Sequence, residues 1–236
     1  MVINDTHRFV FVHVPKTAGT SIAAAFGSLS GNNTHLVSSS TKHETLWDLH
    51  QRLSRRHTAE GGLAELSLEG HFAFGFVRNP WDRMASIYRY LLEARPRPEI
   101  DRVHSFDDFV RRAEAGESWI VGLHSLRPQT DYVAASSLCG QADFIGHTEY
   151  LLEDLSTISI RLGVRLDVPH LNASSNATRD YRRHYTDALV DIVGRMCAHD
   201  VEAFGYEFES RAPRRRCSGA LQAMAWSSGA MEAAFS

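Results

Sequence analysis

Residues 16–21 read Lys-Thr-Ala-Gly-Thr-Ser, which puts an ammonium, three hydroxyls and a glycine in six consecutive positions. The apolar run FVFVHV, residues 9–14, precedes them, and SIAAAF follows. A loop between a strand end and a helix N-terminus binds anions, because free amide N–H groups converge there and the helix dipole favours negative charge. Lys16 adds a compact positive charge, Thr17, Thr20 and Ser21 add hydroxyl donors, and Ala18 offers its amide. Gly19 lets the backbone come close to a ligand. An ordinary βα turn with a surface lysine has the same composition. The nucleotide loop that ends in Gly-Lys-Ser/Thr is a different pattern, since here the lysine precedes the glycine. A conventional P-loop kinase or ATPase is therefore disfavoured.

The second group is Arg78, Asn79, Pro80 and Ser86, in FVRNPWDRMASIYRYL. Asn79 and Pro80 open a helix, with Asn as cap and Pro at the first helical position. Ser86 then lies roughly 9 Å along the axis from Pro80 at 1.5 Å per residue. A guanidinium fork from Arg78 and a hydroxyl from Ser86 suit a terminal phosphate dianion. Trp81, Ile87, Tyr88 and Leu91 are expected in the core, and Asp82 with Arg83 as a local ion pair or helix-start support.

Alternation of short apolar strands with amphipathic helices predicts an α/β fold with a three-layer parallel sheet flanked by helices. Strands are expected at residues 9–14, 71–77 and 144–147, with a short one possible at 35–37. Helices are expected from Thr20 or Ser21 to about Phe26, and over 42–56, 80–93, 105–115, 149–162 and 187–204. Residues 119–134 fit no single pattern. One domain covers residues 1–210, and the basic then Ala/Ser-rich tail, 211–236, is expected to be weakly ordered.

The net charge of -3 excludes a bulk nucleic-acid binder. Three cysteines, Cys139, Cys197 and Cys217, match no metal or redox spacing. His43, His50 and His57 are seven apart, about 10 Å per step on a helix at 1.5 Å per residue, too far for neighbours to share an ion. No metal is expected. The start, MVINDTHRF, lacks an apolar stretch after a basic one, and no run has the length of a membrane span. A cytoplasmic location is the default expectation.

At this point the two groups take on a family likeness. PKTAGTS resembles the 5′-phosphosulfate loop of sulfotransferases that use 3′-phosphoadenosine 5′-phosphosulfate (PAPS), and RNPWDR with its serine resembles their 3′-phosphate motif. The likeness is nearest to carbohydrate-type enzymes, such as the heparan sulfate 2-O family and bacterial relatives, and it implies a P-loop-like sulfotransferase fold. It implies that Lys16 contacts the bridge between phosphate and sulfate, that the backbone of residues 17–21 cradles the 5′-phosphate, and that Arg78 and Ser86 hold the 3′-phosphate. PQTDYV, DFIGHTEYLLEDL, PHLNAS and DVEAFGYEF follow in the family's order, so the likeness spans about residues 9–208. It departs at His147-Thr148-Glu149, where the family has Arg-x-Glu. Residues 172–183 resemble the loop that closes over the nucleotide, and Arg179, Arg182 and Arg183 either contact it or form a solvated basic face.

Sulfuryl transfer to a hydroxyl needs a base, and the family places a His or Glu between the two motifs. His43 is the candidate, Glu44 the alternative, with Lys42 able to assist. Lys16 would stabilise the leaving group, so no metal is required in principle. The expected acceptor is a carbohydrate hydroxyl, with a small aromatic or lipid alcohol also open. Arg52, Arg55 and Arg56 would guide an anionic acceptor or simply face solvent. Acceptor contacts are expected from residues 27–40, 95–104 and 119–132. Two other readings remain open from sequence: a P-loop-related nucleotide kinase, and a non-catalytic bisphosphate-binding module.

Overall fold

The computed structural model describes residues 1–33, 37–38, 40–59, 68, 70–93, 98–133, 141–166 and 180–209. The strand anticipated at 35–37, the role of Arg179 and the tail at 211–236 fall wholly or partly outside them.

Four strands, β1 (Val2–Asn4), β2 (Phe9–Val12), β3 (Phe72–Val77) and β4 (Phe144–His147), form one sheet in that order. β2, β3 and β4 run parallel, with Phe11 opposite Phe74 and Val77 opposite His147. β1 is antiparallel to β2, with Ile3 opposite Val10. The sheet is therefore mixed, which corrects the expectation of an all-parallel sheet. β1 has only three residues and no alternating pattern to reveal it. Its turn back to β2 is set instead by side chains. Buried Asn4 accepts from the His7 amide at 2.7 Å and donates to the Ser30 carbonyl at 2.9 Å, and Arg8 takes a left-handed φ of 50°.

Side chains alternate along the strands and sort into two apolar clusters. Phe9, Phe11, Phe74 and Phe76 pack with Ile22 and Phe26 of α1 (Gly19–Gly27) and with Leu155 and Ile158 of α7 (Leu151–Leu162). Val10, Val12 and Val77 belong to the other cluster. It takes in Leu49 and Leu53 of α2 (Leu46–Ala59), Met84 and Ile87 of α3 (Pro80–Glu93) and Phe109 of α4 (Phe106–Glu114). The short helices α5 (Ser118–Val121) and α6 (Thr130–Val133) occupy the stretch the sequence left unassigned. The final helical segment breaks at Cys197 into α8 (Asp187–Met196) and α9 (Ala198–Phe204). Full burial of each large apolar side chain contributes about 1.5–3 kcal/mol.

Helix starts follow their caps where a cap was legible. Asn79 Oδ1 accepts from the Trp81 amide at 3.0 Å, and Ser105 accepts from the Asp108 amide at 3.1 Å. The start of α1 is different. Neither Thr20 nor Ser21 caps it: the helix begins at Gly19, and the N-cap is Ala18 in a left-handed conformation without a side-chain hydrogen bond among the described residues.

Two histidines sit in the interior at strand ends. His13, 3% exposed, stacks on Phe11, and His147 packs edge-on against Tyr206. Burial pushes the His13 pKa down to about 2 and that of His147 to about 4. Both values lie below the unfolded value of 6.5, so the unfolded chain takes up protons first as pH falls. Stability from these groups is full above about pH 6.5 and is lost below it. Urea unfolding at pH 5 should therefore show a loss of about 2 kcal/mol per histidine against pH 7.5. His147→Phe should reduce that loss; an unchanged pH dependence would contradict the assigned burial effect.

Candidate active site

The loop between β2 and α1 is built to expose amides. Lys16 and Ala18 both take left-handed backbone conformations, with φ of 68° and 59°. Non-glycine residues there cost of order 1–3 kcal/mol each and occur at ligand clamps. The alternation of hands turns successive N–H groups to one side, as in an anion-binding nest. The amides of Thr17, Ala18, Gly19 and Thr20 have no acceptor among the described residues, whereas Ser21 donates to the Ala18 carbonyl at 3.0 Å. No acidic residue occupies the first turn of α1. Omitting a side-chain cap is what leaves this helix end open to an external anion.

Two residues of the loop act differently from expectation. Thr17 is fully buried and its hydroxyl donates to the Val14 carbonyl at 2.9 Å, so it braces the loop from inside and offers a ligand only its amide. Gly19 is required by a neighbour: a Cβ there would stand 2.1 Å from Cδ2 of His13. Thr20 and Ser21 are exposed on the first turn of α1, with their hydroxyls unclaimed among the described residues.

Arg78 joins this loop to the second one. Its Nη1 donates to the Lys16 carbonyl at 3.3 Å, while Nε and Nη2 hold the two oxygens of Asp82 at 2.8 Å each. A guanidinium has five N–H donors. Among the described residues three are engaged, one on each nitrogen, which leaves two without an acceptor there. Asp82 thus pairs with Arg78, not with Arg83; of the two readings the sequence left open, its place in the first turn of α3 fits helix-start support. Ser86 is half-buried on α3. It shares a stripe with Asp82, Tyr90 and Glu93 at spacings of four, four and three, which is one face of a helix.

Lys16 reaches the same stripe. Its Nζ lies 3.8 Å from the centroid of the Tyr90 ring, a cation–π contact. Burial, then the positive charges of Arg78 and Arg89, bring its pKa down to about 8, against an opposing pull from Glu93. Lys16 is therefore charged at neutral pH but poised to titrate just above it.

His43 stands beside the strand end that leads into the loop. Its ring packs edge-on against His13 at 4.6 Å, and Nδ1 lies 2.9 Å from the His13 carbonyl. A carbonyl only accepts, so Nδ1 carries the proton and Nε2 is left as the basic atom. Burial, outweighing the hydrogen bond, lowers its pKa and keeps the ring neutral at pH 7. Lys42 and His124 lower it further. Glu44 is differently placed: Arg52 grips both its oxygens, Nε at 2.9 Å and Nη2 at 2.8 Å. Both oxygens are thus engaged by the protein, which leaves His43 the better placed of the two to meet a ligand.

The supporting residues were not legible from spacing. Arg83 is 3% exposed and donates to the Pro15 carbonyl at 3.2 Å and the Arg127 carbonyl at 3.0 Å, with Asp200 at 3.8 Å. Glu149 Oε1 accepts from the Asn79 amide at 2.7 Å and Oε2 from the Tyr206 hydroxyl at 3.1 Å. An arginine on the apolar stripe of α3, four residues before Ile87, was the available sign of a buried acceptor. At the site of departure from the family pattern, His147 is packed inside and Glu149 is structural. Arg182 pairs with Asp180 at 3.1 Å and Glu209 at 3.2 Å on the surface. Among the described residues no group of His, Cys, Asp and Glu is placed to hold a metal ion. No helix among them is long and apolar enough to cross a membrane.

Comparison with known proteins agrees with this geometry at the level of family. No curated protein and no solved structure matches the chain. The model of the sulfotransferase family matches residues 1–207, which include Lys16, His43, Arg78 and the buried supports. The chain belongs to the sulfotransferase family.

Proposed function

We propose that the protein transfers a sulfuryl group from PAPS to an acceptor hydroxyl, most naturally on a carbohydrate. The observation that carries this reading is the hydrogen bond from Arg78 to the Lys16 carbonyl, 3.3 Å, which makes one site of two anion loops. A donor nucleotide with phosphates at both ends of its ribose needs such a pair. The residues fit it. Among the described residues four loop amides and two guanidinium N–H groups of Arg78 have no acceptor; the amides with Lys16 suit the 5′-phosphosulfate, and the guanidinium with the Ser86 hydroxyl suits the 3′-phosphate. The P-loop-like arrangement of strand, loop and helix is consistent with this reading.

In the reaction, the acceptor oxygen forms a bond to sulfur as the bond from sulfur to the phosphate oxygen breaks, in line. His43 Nε2 takes the acceptor's proton, and its fixed Nδ1–H keeps the ring oriented. The electron pair of the broken bond stays on the bisphosphate, where Lys16 and the loop amides stabilise it. Polar groups near His43, namely Lys42, His124 and the Glu44–Arg52 pair, favour a polar acceptor such as a sugar.

Turnover of PAPS against a panel of sugar, phenol and alcohol acceptors tests the roles. Lys16→Ala should cut kcat by about 10²–10³, as for loss of a donor to developing negative charge. His43→Ala should cut kcat by about 10²–10⁴ with the nucleotide affinity unchanged. Near-normal rates in either variant would remove it from the mechanism. A second expectation concerns pH. Lys16 carries its charge below about pH 8 and loses it above, so nucleotide affinity should be constant from pH 6.5 to 7.5 and fall as pH rises through about 8. Lys16→Arg should bind without that fall; the same pH dependence in that variant would assign it to another group.

A further inference from the structure

Arg78 lies one residue beyond the end of β3, and the ladder to β4 closes at Val77 opposite His147. Its peptide groups therefore have no strand to pair with. The side-chain amide of Gln129 takes that place: Oε1 accepts from the Arg78 amide and Nε2 donates to the Arg78 carbonyl, both at 2.9 Å. Two opposed hydrogen bonds from one planar group to the N–H and C=O of one residue fix its φ and ψ, and with them the direction in which its side chain leaves. Gln129 is fully buried and held in turn by Asp200. The Asp200 carboxylate accepts from the Gln129 amide at 2.9 Å and from the Thr130 amide at 3.0 Å. Asp200 sits on α9 and Gln129 just before α6, so neither belongs to the two anion loops.

We infer that Gln129 is a positioning residue that sets the aim of Arg78 toward the 3′-phosphate of the nucleotide. The inference rests on the bisphosphate reading above and deepens it. Gln129 touches no ligand; it substitutes for a missing strand at a residue whose guanidinium bridges the loops. Asp200 holds it there from inside the protein. The buried carboxyl group is satisfied by three donors, with the Arg83 guanidinium at 3.8 Å.

The consequence is selective. The 5′ end of the nucleotide meets the β2–α1 loop, which Gln129 does not touch, whereas the 3′ end depends on Arg78. Gln129→Met keeps the volume and removes both hydrogen bonds; Gln129→Glu keeps the acceptor for the Arg78 amide and removes the donor to its carbonyl. Affinities for adenosine 3′,5′-bisphosphate and for 5′-AMP, measured by calorimetry on the full chain, separate positioning from general damage. Gln129→Met should weaken bisphosphate binding about tenfold, the size of one to two hydrogen bonds, with 5′-AMP binding altered less than about twofold. Gln129→Glu should act in the same direction, and it serves if the Met variant does not fold. Either change should have no further effect in an Arg78→Ala background, since the two residues act through one contact. Equal losses for both nucleotides, or a full effect in the Arg78→Ala background, would overturn the inference alone. Failure of the wild-type protein to bind the bisphosphate would overturn the functional reading and the inference with it.

Discussion

The Arg78 guanidinium carries the geometry of the site. It contacts the carbonyl of Lys16 through one nitrogen and the carboxylate of Asp82 through the other two. The first bond closes the distance between the two strand-end loops, and the second holds the fork flat against α3. Arginine suits this position because its five fixed donors can engage protein on one side and still face a dianion on the other. A lysine would offer a point charge without the bridge. What surrounds Arg78 serves to keep its own backbone still: Gln129 on its peptide groups, Glu149 on the following amide, and Arg83 on the carbonyl of Pro15 across the way.

The two loops present different kinds of donors. The β2–α1 loop relies on unsatisfied backbone donors and a helix end without a cap, with a partly buried lysine at its edge. Backbone strain at Lys16 and Ala18 is what keeps those donors convergent. The β3–α3 loop is capped by Asn79 and offers side-chain donors instead. The first arrangement suits a group whose charge grows during reaction, since fixed amides need no reorganisation. The second suits a group that remains unchanged and is used for binding. That division matches a donor nucleotide whose chemistry occurs at one end only.

Much of this was legible in the sequence where the determinants are local. Asn79-Pro80 and Ser105 marked helix starts because caps act within three residues, and the apolar runs at Phe9 and Phe72 marked strands because periodicity is local. The strand Val2–Asn4 escaped because three residues carry no period, and its turn back to β2 is held by Asn4 accepting from the His7 amide. Thr17 was read as a ligand donor, but its hydroxyl turns to Val14, which only the left-handed turns around it decide. The partners of the buried supports are distant in sequence: Gln129 meets Arg78 at a separation of 51 residues and Asp200 at 71. No spacing rule reaches that far. The family likeness rests on two loops whose residues are contiguous, and it gave no sign of the buried supports because they act through tertiary contacts.

The most direct measurement is a calorimetric titration of the wild-type protein with adenosine 3′,5′-bisphosphate, without magnesium, beside 5′-AMP and ATP. One site, occupied by the bisphosphate at least about tenfold more tightly than by 5′-AMP, is the result expected if both loops hold a single nucleotide. Equal affinity for 5′-AMP, or a preference for ATP, in the same titration or once magnesium is added, would contradict a shared bisphosphate site and with it the proposed sulfuryl transfer.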